Sequence, residues 1–243
     1  MNKKISPLNK KKTKLTIIIP VFNEIHTIGK ILKKIIRIKN LRKQIIVVDD
    51  GSCDGTTKFL KSFNKKLFKL IVHNKNKGKG AAIRTAKKYI NGDLVLIQDA
   101  DLEYDPKDYK KLMSPLVNKN YKVVYGSRVL NKNRYKLDNF LSISRVFFNH
   151  VLTILSNVLN NQKLTDAHTC YKVFDKDLFV KINLKENGFS FCPEITTKIG
   201  LKKILIKEIP INYHGRDYKE GKKIKFSDGI DAILTLIKYR FLV

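Results

Sequence analysis

Three groups of acidic residues have types and spacings suited to chemistry. Glu24 follows the apolar run LTIIIPV (15–21), Asp49 and Asp50 close QIIVVDD, and Asp99-Ala-Asp101-Leu-Glu103 follows DLVLIQ (93–98). Carboxylates gathered at the ends of buried strands repel one another and resist burial. A hard divalent cation, Mg²⁺ or Mn²⁺, would relieve that repulsion with an oxygen-only donor set. Asp99 and Asp101 lie two apart at a strand exit, so both face one side, one suited to a metal and the other to a ribose hydroxyl. Any single aspartate can be explained by a turn or an N-cap, and Asp54 is expected to cap the helix after it. Three clusters together exceed that explanation.

Other polar features accompany the clusters. NKNKGKGAAI (74–83) is a glycine-containing loop opening a helix, and it predicts backbone N–H groups, around Lys79 and Gly80, near a phosphate. It departs from the dinucleotide fingerprint, because Ile83 holds the third glycine position and the loop follows the third strand. Arg128, Arg145 and Arg216, with Lys222 and Lys223, are candidate phosphate-binding cations, arginine being suited to bidentate recognition. Asp166 and Glu194 are candidate general bases, and equally candidates for caps or loop-ordering residues. The five histidines show no ligand spacing and are read as structural, His168 merely near the site.

These residues need a frame, and the hydrophobic pattern supplies one. Continuous apolar runs alternate with segments of helical period up to about residue 130. The alternation predicts an α/β fold: a mostly parallel, doubly wound sheet with helices on both faces, whose ligands bind beyond the carboxyl ends of the strands. Residues 1–14 read as a basic tail and 15–243 as a single domain. From about Asn131 the rhythm changes. A helix over 138–160 carries an apolar stripe, expected to pack on the sheet, although a helix lying on a membrane would have the same pattern. A helix from Asp175, a segment at 189–201, a strand at 204–209 and a final helix at 226–241 complete the chain.

Composition narrows the partners. The 243 residues carry 50 Lys and Arg against 21 Asp and Glu, a net charge of +29, which points to an anionic partner. Only eight of those 50 are arginine, so much of the lysine is solvated surface. No helix-turn-helix, RRM or zinc-finger pattern supports nucleic acid, and acidic rims would repel its phosphates. Three cysteines without CxxC spacing and no signal-peptide core suggest reduced thiols in the cytoplasm. No stretch has the ~20 apolar residues that a membrane span requires.

PVFNE (20–24), DDGSCDGT (49–56), NKGKGAA (76–82), QDADLEYDP (98–106), GSR (126–128), TDAHTCYKVF (165–174), PEITTKI (193–199) and EIPINYHGRDYKEGKKIKF (208–226) resemble the family 2 glycosyltransferases. The likeness is greatest to the branch of dolichyl- and polyprenyl-phosphate mannose and glucose synthases, and it runs from about Leu15 to the C-terminus. The resemblance implies a GT-A fold, a nucleotide-sugar donor (GDP-mannose or UDP-glucose), a divalent cation, and inverting transfer of a hexose to a polyprenyl or dolichyl phosphate. Residues 15–130 would form the nucleotide-sugar half and 131–243 the acceptor half. Pro20, Phe22 and Glu24 would flank the nucleoside, with Phe22 where many members have Tyr. Asp49, Asp50, Lys79, Gly80 and Asp99 would lie on the donor side. Asp101 would be the main metal ligand, joined by Glu103 where the mannose synthases often carry Gln. Arg128, Arg145, Arg216 and Lys223 would hold phosphate, and the catalytic set would be Asp101, Arg128, Asp166 and Glu194. Attachment to the inner face of the membrane would be peripheral, through an anionic surface or a membrane partner subunit. The alternative activity is transfer to a saccharide hydroxyl in surface polysaccharide assembly, and a catalytically inactive scaffold is a further alternative.

Overall fold

The computed structural model describes residues 13–63, 66–118, 120–131, 140–216 and 226–242, with backbone alone at 140–145 and 226. Among them a seven-stranded sheet has the order β3-β2-β1-β4-β6-β5-β7. Strands β1 (Lys14–Val21), β2 (Arg42–Asp49), β3 (Lys69–Val72) and β4 (Leu94–Ile97) are mutually parallel, and β5 (Val123–Ser127) is parallel to β7 (Ile206–Pro210). Strand β6 (Lys172–Asp175) runs antiparallel to both of its neighbours, β4 and β5.

The apolar runs become strands because both faces of the sheet are covered. Leu15, Ile17, Ile18 and Ile19 of β1 have no exposed surface. Helix α1 (Ile28–Ile36) buries Ile28, Ile31, Leu32 and Ile35, the i, i+3, i+4, i+7 face of an amphipathic helix. Helices α2 (Thr56–Ser62), α3 (Lys79–Lys87) and α4 (Tyr109–Val117) return the chain between strands, α4 preceded by a 3₁₀ turn with Pro106 at its first position. Strand β1 pairs with β2 along its whole length but with β4 only over Leu15–Ile18. Its last three residues therefore project past β4. The chain winds outward from β1 to β3 and returns to β4, so the crevice at this switch point is where a doubly wound sheet binds its ligand.

Helices α5 (Phe140–Asn160), α6 (Lys176–Lys181), α7 (Phe191–Leu201) and α8 (Phe226–Ile237) follow, α8 ending in a π turn at Lys238–Leu242. The expected packing of the α5 stripe on the sheet is corrected. Helix α5 packs on α7 and α8, burying Leu152, Thr153, Ser156 and Asn160, while Phe147, Phe148, Val151, Ile154 and Val158 face outward. The helix is amphipathic in both directions, and the inward face is the more polar one. Among the described residues no helix is long and apolar enough to cross a membrane.

Candidate active site

The β1 exit turns sharply at Asn23, which has φ +50°. Its amide donates to Ser52 Oγ (2.9 Å) and its side-chain oxygen accepts from Cys53 N (2.9 Å), tying the β1 and β2 exits together. This places Pro20 buried, Phe22 half-buried and Glu24 buried along the crevice. Asp49 faces inward. Its Oδ1 accepts from Ser52 N (3.0 Å) and Oγ (2.6 Å), and Oδ2 accepts from Thr57 Oγ1. Asp50 binds the glycine loop, with Oδ2 accepting from Gly78 N (2.6 Å) and Oδ1 from Lys77 N (3.0 Å), and Oδ1 also 2.6 Å from His73 Nδ1.

The amides that flank Lys79 and Gly80 are turned to the protein itself. The amides of Lys77 and Gly78 point at Asp50, and that of Ala81 donates to Asn187 O (3.0 Å). Gly78 is at φ +95°, and both it and Gly80 lie so close to the 186–187 backbone that a Cβ would collide with it. What the loop delivers to the crevice is the Lys79 side chain. Its Nζ donates to Asp99 Oδ1 at 2.5 Å and stands 3.5 Å from Cys170 Sγ. Burial alone would lower the Lys79 pKa and raise that of Asp99, but their mutual attraction wins and shifts both the other way.

At the β4 exit, Leu102 adopts φ +65°, a left-handed conformation unusual for a bulky side chain. The turn it makes folds Glu103 back toward Asp101, and Glu103 N donates to Asp101 Oδ1 (3.2 Å). Burial, then the like charges of Asp99 and Glu103, push the Asp101 carboxyl up to about 7 against the pull of Arg216. Arg216 answers this negative potential. Its Nη2 lies 2.9 Å from Asp101 Oδ2 and 3.1 Å from Glu24 Oε1, its Nη1 lies 3.3 Å from Glu24 Oε2, and its backbone N donates to Glu103 Oε1 (2.8 Å). Tyr213 Oη donates to the other Glu103 oxygen (2.9 Å). A cleft lined by Thr27, Asp101, Leu102, His214, Gly215 and Arg216 opens here.

A second arginine lies beyond β5. Arg128 donates Nε and Nη2 to the two oxygens of Asp166 (2.7 and 2.8 Å) and its backbone N to Oδ2 (3.0 Å). Burial would raise the Asp166 pKa, but Arg128 outweighs it and holds the carboxyl below its usual range. Glu208 on β7 accepts from the amides of Thr165 (2.7 Å) and Asp166 (2.9 Å), fixing the loop. The ring of Tyr213 lies 5.2 Å from the Arg128 guanidinium carbon, linking the two arginine centres. Glu194 is fully buried and accepts from Lys185 N (2.6 Å), Lys198 Nζ (2.6 Å) and Glu186 N (2.9 Å). It orders the 185–187 loop that carries the close contact with Gly78 and Gly80. The side chain of Arg145 falls outside the described residues, as do Lys222 and Lys223.

Among the described residues no three His, Cys, Asp or Glu side chains are grouped to hold a metal ion by themselves. Asp101 and Glu103 nonetheless fit a hard cation: they are adjacent, oxygen-only, mutually repelling and already gathered around a positive guanidinium. Mg²⁺ is commonly held by one or two carboxylates with substrate phosphates supplying the rest, and Asp101 in the cleft wall, with Glu103 beside it, is suited to that.

Sequence reasoning did not single out His73, Tyr213 or Glu208. The first is 23 positions from its partner Asp50 and the second 110 from Glu103, so no local spacing exposed them. Glu208 was visible only as part of EIPINY.

The mostly parallel sheet with its switch point between β1 and β4 has the GT-A fold. Residues 16–182 match the model of Glycosyl transferase family 2, and the chain belongs to that family. It is 29% identical to a dolichyl-phosphate beta-glucosyltransferase of Trichomonas vaginalis, the match covering 92% of this chain and 72% of the relative. It is 28% identical to a UDP-N-acetylglucosamine–dolichyl-phosphate N-acetylglucosaminyltransferase of Methanococcus voltae, covering 91% and 94%. Among solved structures, glucosyl-3-phosphoglycerate synthase from Mycobacterium tuberculosis, in complex with Mn²⁺, UDP and glucosyl-3-phosphoglycerate, shares the fold at a TM-score of 0.67 and 17% identity, covering 95% of this chain and 81% of that one.

Proposed function

We propose that the chain transfers a hexose, with inversion at the anomeric carbon, from a nucleotide diphosphate sugar to a polyprenyl or dolichyl phosphate. The observation that carries this reading is the state of the two candidate bases. A hydroxyl acceptor must lose a proton and needs a general base of suitable pKa. Asp166 is locked to Arg128 with its pKa lowered, and Glu194 is buried among three donors. An acceptor that is already ionised needs a cation instead, and Arg128 supplies it. The relatives named above act on dolichyl phosphate with glucosyl or N-acetylglucosaminyl groups, which favours a UDP-linked donor over GDP-mannose.

In this reading residues 15–130 hold the donor and 131–243 the acceptor. Phe22 and Pro20 flank the nucleoside, Asp50 and Asp49 set the loops around it, and Asp99 is turned toward Lys79, whose ammonium faces the diphosphate. Asp101 and Glu103 would hold a divalent cation, which as a Lewis acid would stabilise the charge on the departing nucleoside diphosphate. Arg128, oriented by Asp166, binds the acceptor phosphate. The outward faces of α5 and α8, with Phe147, Ile154, Leu234 and Phe241 exposed, rest on the inner face of an anionic membrane, aided by the chain's positive charge.

The test is transfer of labelled sugar from UDP-glucose, UDP-N-acetylglucosamine and GDP-mannose, with Mg²⁺ or Mn²⁺, into an organic-extractable product, with and without polyprenyl phosphate. Label in the organic phase only when lipid and metal are both present supports the reading and names the donor. Metal-dependent donor binding without lipid product overturns it in favour of a saccharide acceptor.

A further inference from the structure

The Arg216 guanidinium lies among three carboxylates that come from two strand exits, Glu24 after β1 and Asp101 and Glu103 after β4. We propose that Arg216 is the counter-ion that closes the metal site of the free protein, and that a nucleoside diphosphate, rather than the metal alone, draws it away. The inference rests on the metal and nucleotide reading above and adds an order to it: cation and diphosphate bind as a mutually dependent pair.

The geometry makes guanidinium and metal competitors. Nη2 stands 2.9 Å from Asp101 Oδ2. A Mg²⁺ ion would approach the same oxygen to about 2.0–2.1 Å, so the two positive groups would stand close together across it and repel each other. A bare cation therefore weakens the Arg216–Asp101 pair, and the guanidinium it displaces faces a new positive charge. A diphosphate changes that balance. It offers planar, charge-assisted bidentate contacts of the kind for which a guanidinium is built, and it supplies oxygens to the cation as well. Arg216 then exchanges a carboxylate for a phosphate.

The segment that carries Arg216 is held from below. Tyr213 Oη and Arg216 N occupy the two oxygens of Glu103, His214 N donates to Glu103 O (2.9 Å), and Tyr213 bridges to Tyr104. These anchors leave the guanidinium as the moving part. Coupling of this kind is reciprocal, so nucleotide must tighten metal binding by the factor by which metal tightens nucleotide.

The test measures Mn²⁺ binding, by the loss of the free-ion electron paramagnetic resonance signal and by calorimetry, without nucleotide and with UDP or GDP. Wild-type protein is expected to bind Mn²⁺ weakly alone and roughly tenfold or more tightly with the nucleotide. Arg216→Gln is expected to bind Mn²⁺ alone about tenfold more tightly than wild type and to gain less from nucleotide. Arg216→Lys, which keeps the charge without the fork, falls between them, and Tyr213→Phe, which only loosens the anchor, moves a smaller step the same way. Unchanged or weaker binding of Mn²⁺ alone by folded Arg216→Gln, with nucleotide coupling intact, overturns the inference and leaves the proposed activity standing. If Arg216→Gln does not fold, an unchanged affinity in both Arg216→Lys and Tyr213→Phe overturns it. Absence of Mn²⁺ binding to wild type with either nucleotide overturns the metal reading and this inference together.

Discussion

Two arginines lie in buried ion pairs beyond the strand ends, and their side chains are equally exposed at 17%. They differ in how their partners are arranged. Arg128 gives its backbone amide, Nε and Nη2 to one carboxylate, Asp166, which Glu208 fixes in turn. Arg216 divides its side chain between Glu24 and Asp101 and reaches toward Glu103. The first is a bidentate pair in which both oxygens of one carboxylate are matched to one guanidinium. The second gathers several negative charges around one positive charge, and that excess is what a divalent ion could satisfy better. Equal burial thus conceals a fixed pair and an exchangeable one.

The largest effect is expected at the exchangeable centre. Asp101→Ala should lower sugar transfer roughly 10³-fold or more, since a metal supplies several kcal/mol of charge stabilisation, and should abolish nucleotide-stimulated Mn²⁺ binding. Full turnover in that variant would remove the metal assignment. At the fixed pair the effect should fall first on stability. Asp166→Ala leaves the Arg128 guanidinium without its fitted partner and is expected to cost about 3–5 kcal/mol in urea unfolding, partly recovered in the double variant with Arg128→Ala. A change below 1 kcal/mol would mean that this pair is as replaceable as the other.

The smallest effect is a pH dependence. A carboxyl raised to about 7 at Asp101 must lose its proton to hold a cation. Mn²⁺ affinity should therefore fall about tenfold per pH unit below 7 and level off above it. The sign for the unliganded fold is opposite to that of an ordinary paired carboxylate. The folded state holds the proton more tightly than the unfolded chain, so this group's contribution to stability is present at low pH and is lost as pH rises through 7. Added Mn²⁺ should raise the melting temperature more at pH 8 than at pH 6. Equal rises at both would place the raised carboxyl elsewhere.

Much of this frame was legible in the sequence because its signals are local. Runs such as LTIIIPV become buried strands, and Pro106 and Asp175 set helix starts where turn chemistry predicts them; the cap expected of Asp54 falls instead to Gly55, Asp54 accepting from Thr56 in the turn before it. The acidic positions Glu24, Asp101 and Glu103 could be assigned to one rim because the winding rule fixes where strands end. Two elements were hidden by side chains that run against the usual burial pattern. KVFD (172–175) did not read as a strand because Lys172 disguises it, yet Lys172 is fully buried and donates to the carbonyls of Ala167 (3.1 Å) and Thr169. The α5 stripe misled in the other direction, since its Phe147, Val151 and Ile154 face outward. What no local reading could supply was the pairing of distant groups, such as Arg216 with Glu24 or His73 with Asp50, which exist only once the sheet has closed.

The antiparallel β6 has a consequence for how the chain reaches its fold. It is inserted between β4 and β5, strands that precede it by about 50–80 positions, and β5 meets only β6 and β7 in the sheet. A ribosome that has released residues up to 131 has therefore made every acidic cluster of the rim but none of the partners for β5 or for the outer edge of β4. Such an intermediate presents open strand edges of the kind that recruit other chains. Truncation ahead of Lys172 should therefore yield aggregating protein rather than a folded fragment, which light scattering of the shortened chain would check.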